Sequence, residues 1–290
     1  MQVLLLYATV VLIWGSTFAA IPFQLGTVPI EVSVAYRFGI SAIALALYAK
    51  LSGRSLHIPR QLLPMVVVQS LLLFCLNYLL VYNASAFITT GLIAVLFTTI
   101  VLVNAVFESV FFNTRMDRTF YAAAGMGVLG IALVFWPEVS ALSLTDKAVI
   151  GILFALGSVL SASLGNMAAT VNMQKSVPVV ALNAYAMGIA TVLSLGIALA
   201  LGREITFAMT PSYVGSLLYL SLFGSAVAFG AYLALIRRIG PSRASYCTVM
   251  FPIVALALST VLENYVWTPI AAAGILVTLL GNWLILSKRQ

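Results

Sequence analysis

The feature that most constrains this chain is a succession of apolar stretches, each close to 20 residues long and joined by very short connections. They run from Val3 to Ile21, Ile30 to Ala49, Leu62 to Tyr82, Phe87 to Phe107 and Phe120 to Trp136. A second set runs from Val149 to Thr170, Val179 to Leu201, Tyr213 to Leu235, Ala244 to Leu262 and Ile270 to Leu286. A helix needs about 20 apolar residues to cross a hydrocarbon core of roughly 30 Å. Within that core an unpaired backbone N–H or C=O costs several kcal/mol, so each stretch is expected to be helical. Stretches this weakly amphipathic do not suit a β-barrel. The expectation is an all-α polytopic membrane protein with ten transmembrane helices.

Composition closes off the soluble classes. Only 7% of the 290 residues are charged and 63% are hydrophobic, whereas a soluble domain carries roughly 25% charged residues on its surface. No room is left for a soluble catalytic domain. The net charge of +7 does not point to nucleic acid, because the basic residues punctuate apolar runs instead of gathering on one folded face. Cys75 and Cys247 lie inside apolar stretches, where small soft side chains serve as packing. The first stretch, with Phe18-Ala19-Ala20 near its end, is expected to be retained and not cleaved as a signal peptide, since no Lys or Arg precedes it.

Loop charge sets the expected orientation, because cytosolic loops carry an excess of Lys and Arg. With the N-terminus inside, Lys50, Arg54, Arg60, Arg115, Arg118, Lys175, Arg237, Arg238, Arg243, Lys288 and Arg289 fall on the cytosolic side. Only Lys147 and Arg203 fall outside, together with the acidic Glu31, Glu138, Asp146, Glu204 and Glu263. Both termini are then cytosolic, and the count of ten follows, since one span more or fewer would reverse every later loop.

The two halves echo one another. Ala35-Tyr36-Arg37-Phe38-Gly39-Ile40 recurs as Ala184-Tyr185-Ala186-Met187-Gly188-Ile189 at an offset of 149. Gly15 matches Gly165 at 150 and Gly130 matches Gly281 at 151. Five helices per half force the second half, residues 144–290, to insert upside down relative to the first, residues 1–143. Such inverted repeats around a central cavity mark alternating-access carriers.

The motifs that carry a family resemblance are Trp14-Gly15-Ser16-Thr17-Phe18, Tyr36-Arg37-Phe38 and the run Gly130 to Glu138 in the first half, and Arg237 to Ser245, Phe251-Pro252-Ile253-Val254 and Glu263 in the second. In order and spacing the whole chain resembles the drug/metabolite transporter superfamily, in its ten-helix branch of two tandem EamA-type domains. The resemblance implies transport of amino acids, other metabolites or toxic organic compounds without ATP hydrolysis. It also implies a proline in span four; Val101 stands there instead, which puts a gating break in that span in doubt.

A carrier needs polar and aromatic side chains around an internal cavity, so that the solute exchanges hydration for protein contacts and can still leave. The candidates are Trp14, Thr17, Asn77, Tyr78, Tyr82, Thr98, Asn104, Asn166, Tyr185 and Tyr246. Tyr78 and Tyr82, four residues apart, share one helix face. Arg37 is the only basic side chain well inside a span; a charge there is costly enough to count as a functional candidate. It can bind a solute carboxylate, snorkel outward, or pair with Glu31. Glu108 can take part in proton coupling or form an ion pair with Arg115. Pro252 frees a backbone carbonyl one turn back and is a candidate hinge.

No GxxxxGK[ST] loop occurs, so ATP drive within the chain is not expected. His57 has no neighbouring ligands, and no span holds paired carboxylates; neither a metal, a cofactor nor an enzymatic role is anticipated. The sequence reading is a secondary transporter of the cytoplasmic membrane, exporting small amphipathic metabolites such as amino acids. Broad organic-cation or drug efflux, a membrane receptor and a lipid enzyme are its rivals. The expected partners are the bilayer, a small-molecule solute and a coupling proton. The oligomeric state is left open.

Overall fold

The computed structural model describes residues 2–17, 20–26, 28–140, 145–254 and 268–287. Phe18, Ala19, Glu263, Lys288 and Arg289, the ninth stretch beyond Val254, and the junction between residues 143 and 144 lie outside the described residues. The helices are α1 (Gln2–Thr17), α2 (Ile30–Leu51), α3 (Arg60–Ala84), α4 (Leu92–Phe112), α5 (Arg118–Val134), α6 (Asp146–Gln174), α7 (Val179–Ala200) and α8 (Pro211–Ile239). There follow α9 (Pro241–Ala244), continuing as a 3-10 turn over Ser245–Met250, and α10 (Pro269–Ser287). No strand occurs among the described residues. Among them, α2, α3, α4, α6, α7 and α8 are long and apolar enough to cross a membrane, while α1, α5 and α10 are shorter apolar helices.

Local chemistry explains where the helices begin and end. Side-chain oxygens of Asp117, Thr145 and Thr210 accept hydrogen bonds from the backbone N–H groups of Phe120, Ala148 and Tyr213, capping α5, α6 and α8. At the other end, α2 and α7 are each followed by a glycine in the left-handed region, Gly53 at φ +63° and Gly202 at φ +65°. A side chain is strained in that conformation and glycine is not. These two glycines are 149 residues apart, the same displacement that relates the Tyr36 and Tyr185 motifs.

Packing pairs the halves. Helix α2 runs along α7 and α5 along α10, α1 packs on α8, and α3 packs on α6. Each of these contacts maps onto itself or another when the halves are exchanged. Small residues permit the close approaches: a Cβ added to Gly130 would lie 2.6 Å from the Gly274 carbonyl, and one added to Gly165 would lie 2.8 Å from the Leu73 nitrogen. In lipid there is little hydrophobic drive between helices, so such backbone proximity is a main source of association.

Two counterpart helices share an irregularity. Helix α3 widens to a π-helix over Ser70–Leu76, and α8 does so over Leu222–Val227. In α4, which carries Val101 and no proline, the regular hydrogen bonding is nonetheless interrupted at Thr99. The hydroxyls of Thr98 and Thr99 bond the carbonyls of Val95 and Leu96 on their own helix, and such back-bonding bends helices. The interruption in span four is therefore made by threonines and not by an imino acid.

Candidate functional site

Between the halves lies a cavity of about 100 Å³. Helix α1 contributes Trp14 and Thr17, α2 Arg37, α3 Asn77 and Tyr78, and α6 Asn166. These six were legible in the sequence. Phe229 and Tyr232 of α8, Phe97 of α4, and Thr248 and Phe251 of the ninth segment also line it, and sequence reasoning missed them. The spacing of Phe229 and Tyr232, three apart and so on one helix face, was the available signal.

The aromatic rings form a connected wall. Trp14 meets Phe229 at 4.8 Å, Tyr232 at 5.0 Å and Phe251 at 5.4 Å between ring centres, mostly edge to face. Tyr78 joins through Phe229 at 6.3 Å. Such contacts are worth about 0.5–1.5 kcal/mol each beyond their burial, so the wall is stiff before any solute arrives. The indole N–H of Trp14 donates to the Gly224 carbonyl at 2.8 Å, within the π-helical part of α8.

Arg37 is 2% exposed and lies in this wall. Its Nε donates to the Ser225 hydroxyl at 2.8 Å and Nη1 to the Tyr82 hydroxyl at 3.4 Å; the guanidinium carbon stands 4.6 Å from the Tyr78 ring centre. It neither snorkels outward nor pairs with Glu31. That carboxylate is instead 3.8 Å from Arg203. Among the described residues no acidic side chain lines the cavity, so none of them pairs with the guanidinium there. Opposite in chemistry are two buried acceptors, Asn77 Oδ1 and Asn166 Oδ1, that have no hydrogen-bond partner. The amide N–H groups of these residues are used, by the Leu73 carbonyl and the Tyr232 hydroxyl.

The other candidates fall elsewhere. Tyr82 is buried behind Arg37, which it helps to hold. Thr98 bonds its own helix, and Asn104 bridges Ser163 and the Pro241 carbonyl, joining α4 to α6 and α9. Tyr246 is fully buried and donates to the Ala123 carbonyl, away from the cavity. Tyr185 is 42% exposed on the outside of α7, because the helix turns its Ala184 and Ala186 neighbours inward. Pro252 is buried next to the lining residue Phe251 and follows the 3-10 turn. Glu108 does not pair with Arg115: its carboxylate accepts from the backbone N–H of Ser242 at 3.0 Å and from the Ser242 hydroxyl. Cys75 and Cys247 are buried and free.

This geometry has clear relatives. The EamA-like transporter family matches residues 1–136 and again residues 149–287. The uncharacterized inner membrane transporter YedA of Escherichia coli (strain K12) is 28% identical over 287 residues, 96% of this chain and 90% of its own length. The uncharacterized transporter YoaV of Bacillus subtilis (strain 168) is 26% identical over 259 residues, 88% and 86% of the two chains. A solved crystal structure superposes with a TM-score of 0.80 at 17% identity, covering 97% of this chain and 94% of that one; the likeness is one of fold.

Proposed function

Because this chain belongs to the EamA-like transporter family, we propose that it is a multi-pass inner-membrane carrier whose cavity takes small amphipathic solutes bearing a carboxylate, amino acids first among them. The observation that carries this reading is Arg37: a buried guanidinium on the cavity with no acidic partner lining it among the described residues. A charged side chain at the centre of a membrane helix costs about 2.5–3.5 kcal/mol on insertion scales. Its contacts with Ser225, Tyr82 and Tyr78 offset part of that and fix its direction. A carboxylate would complete it with charge-assisted hydrogen bonds. The unmet acceptors of Asn77 and Asn166 suit an ammonium group, and the aromatic wall suits an apolar side chain. An organic cation alone would meet the guanidinium as a like charge.

The pairing of α2 with α7, α5 with α10, and α1–α8 with α3–α6 supports two inverted five-helix halves, residues 1–143 and 144–290, that rock about the cavity. Binding and release then need no covalent chemistry, and both termini lie in the cytosol. Export is the direction we favour.

The test is counterflow of radiolabelled amino acids in proteoliposomes. Arg37→Gln should weaken half-saturation by about tenfold or more, the equivalent of 1.4 kcal/mol, and Arg37→Lys should weaken it less. Wild-type affinity in both folded variants would remove the carboxylate reading.

A further inference from the structure

A second concavity lies apart from the cavity, on the face where α2 ends and α7 begins. Arg54 and Ser55 enter it from the connection after α2, Val179 and Val180 from the opening of α7, and Arg237 and Arg238 from the last turn of α8. Three arginines thus share one groove, and no carboxylate among the described residues lines it. The ion pair of Arg203 with Glu31 is elsewhere.

The groove is also braced. The Arg54 guanidinium stands 5.4 Å from the Tyr48 ring centre, and Arg238 Nη1 donates to Gln2 Oε1 at 2.7 Å. The 22-residue helix α7 starts after Pro178, which supplies no side-chain cap. Its first N–H groups therefore add donors and a partial positive charge on the same side. Like charges gathered this way repel at short range, and a bound anion relieves that repulsion.

The setting indicates the source of the anion. Immediately before Arg54 the outer face of α2 presents exposed Leu47, Tyr48 and Leu51, an apolar strip leading up to the groove. Acyl chains can lie along that strip while a phosphate sits among the arginines, the arrangement by which basic pockets between membrane helices hold acidic lipids.

We propose that this groove is a binding site for the phosphate of an anionic glycerophospholipid. The test is native mass spectrometry of the full chain, delipidated in detergent and then offered phosphatidylglycerol, phosphatidylcholine or inorganic phosphate. Wild type should retain phosphatidylglycerol over phosphatidylcholine. The double variant Arg54→Gln with Arg237→Gln should retain at least fivefold less, with unchanged helical circular dichroism. Arg54→Lys with Arg237→Lys should hold at least half the wild-type amount, and Arg115→Gln should hold all of it. The site is disproved as a lipid site if the double Gln variant keeps wild-type retention, if Arg115→Gln loses as much, if phosphatidylcholine is held equally, or if equimolar inorganic phosphate displaces the lipid.

Discussion

Trp14 and Gly224 are joined by an indole N–H donated at 2.8 Å to a carbonyl in the π-helical segment of α8. The other half holds a counterpart: Ser161 of α6 donates to the Leu72 carbonyl at 2.7 Å, in the π-helical segment of α3. A π-helical stretch departs from the regular i to i−4 ladder, and in both halves a side chain from the partner helix meets a carbonyl within it. Trp14 additionally anchors the aromatic wall, so one residue couples helix geometry to the shape of the cavity.

Replacing Trp14 by Phe retains an aromatic ring and removes the donor. With the Gly224 carbonyl left unmet, stability should fall by about 1–3 kcal/mol, read from unfolding in micelles. Counterflow should slow as well, because the Phe229, Tyr232 and Phe251 contacts lose their fixed partner.

The two unmet amide oxygens give a selectivity test. In Asn77→Ala or Asn166→Ala, affinity for an amino acid should weaken by about 1.5–3 kcal/mol, the worth of a lost hydrogen bond to a charged group. Affinity for the corresponding 2-oxo acid, which lacks the ammonium, should stay as in wild type. Competition of each against a radiolabelled amino acid in proteoliposomes separates the two.

Gly165 and Gly196 should respond oppositely to alanine. A Cβ at Gly165 would stand 2.8 Å from the Leu73 nitrogen and 2.9 Å from its Cα, and backbone cannot yield cheaply. The expected loss is about 1–3 kcal/mol. At Gly196, in the middle of α7, a Cβ meets nothing within 4 Å, and stability should rise by about 0.5–1 kcal/mol. Thermal unfolding of the two purified variants decides this.

Glu108 is expected to behave as a structural acceptor for the first turn of α9. Glu108→Ala leaves the buried Ser242 N–H unmet and should cost about 1.5–3 kcal/mol, whereas Glu108→Gln keeps an acceptor and should cost less. Counterflow by Glu108→Gln should match wild type whether or not a proton gradient is imposed. Loss of gradient response in that variant alone would instead assign the residue to coupling.

The apolar stretches determined by themselves that this chain is helical and polytopic, because hydrocarbon forces every backbone group to be met within its own helix. Trp14, Arg37, Asn77, Tyr78 and Asn166 were legible for a related reason: a polar or amphipathic side chain deep in an apolar run is conspicuous against its neighbours. What sequence could not supply was the angular phase of each helix. In a lipid-facing helix the outside is as apolar as the inside, so periodicity carries little contrast. Tyr185 and Tyr232 therefore read alike, yet one is exposed on the outside of α7 and the other lines the cavity.

Partner choice was likewise decided by tertiary structure. Charge and spacing suggested Glu31 with Arg37 and Glu108 with Arg115. Packing instead sets Glu31 beside Arg203 and turns Glu108 to Ser242, because residues distant in sequence reach those carboxylates first. The π-helical segments of α3 and α8 and the threonine interruption of α4 have no compositional signature of the kind a proline leaves. They arise from how one helix seats against another, and so only the assembled bundle determines them.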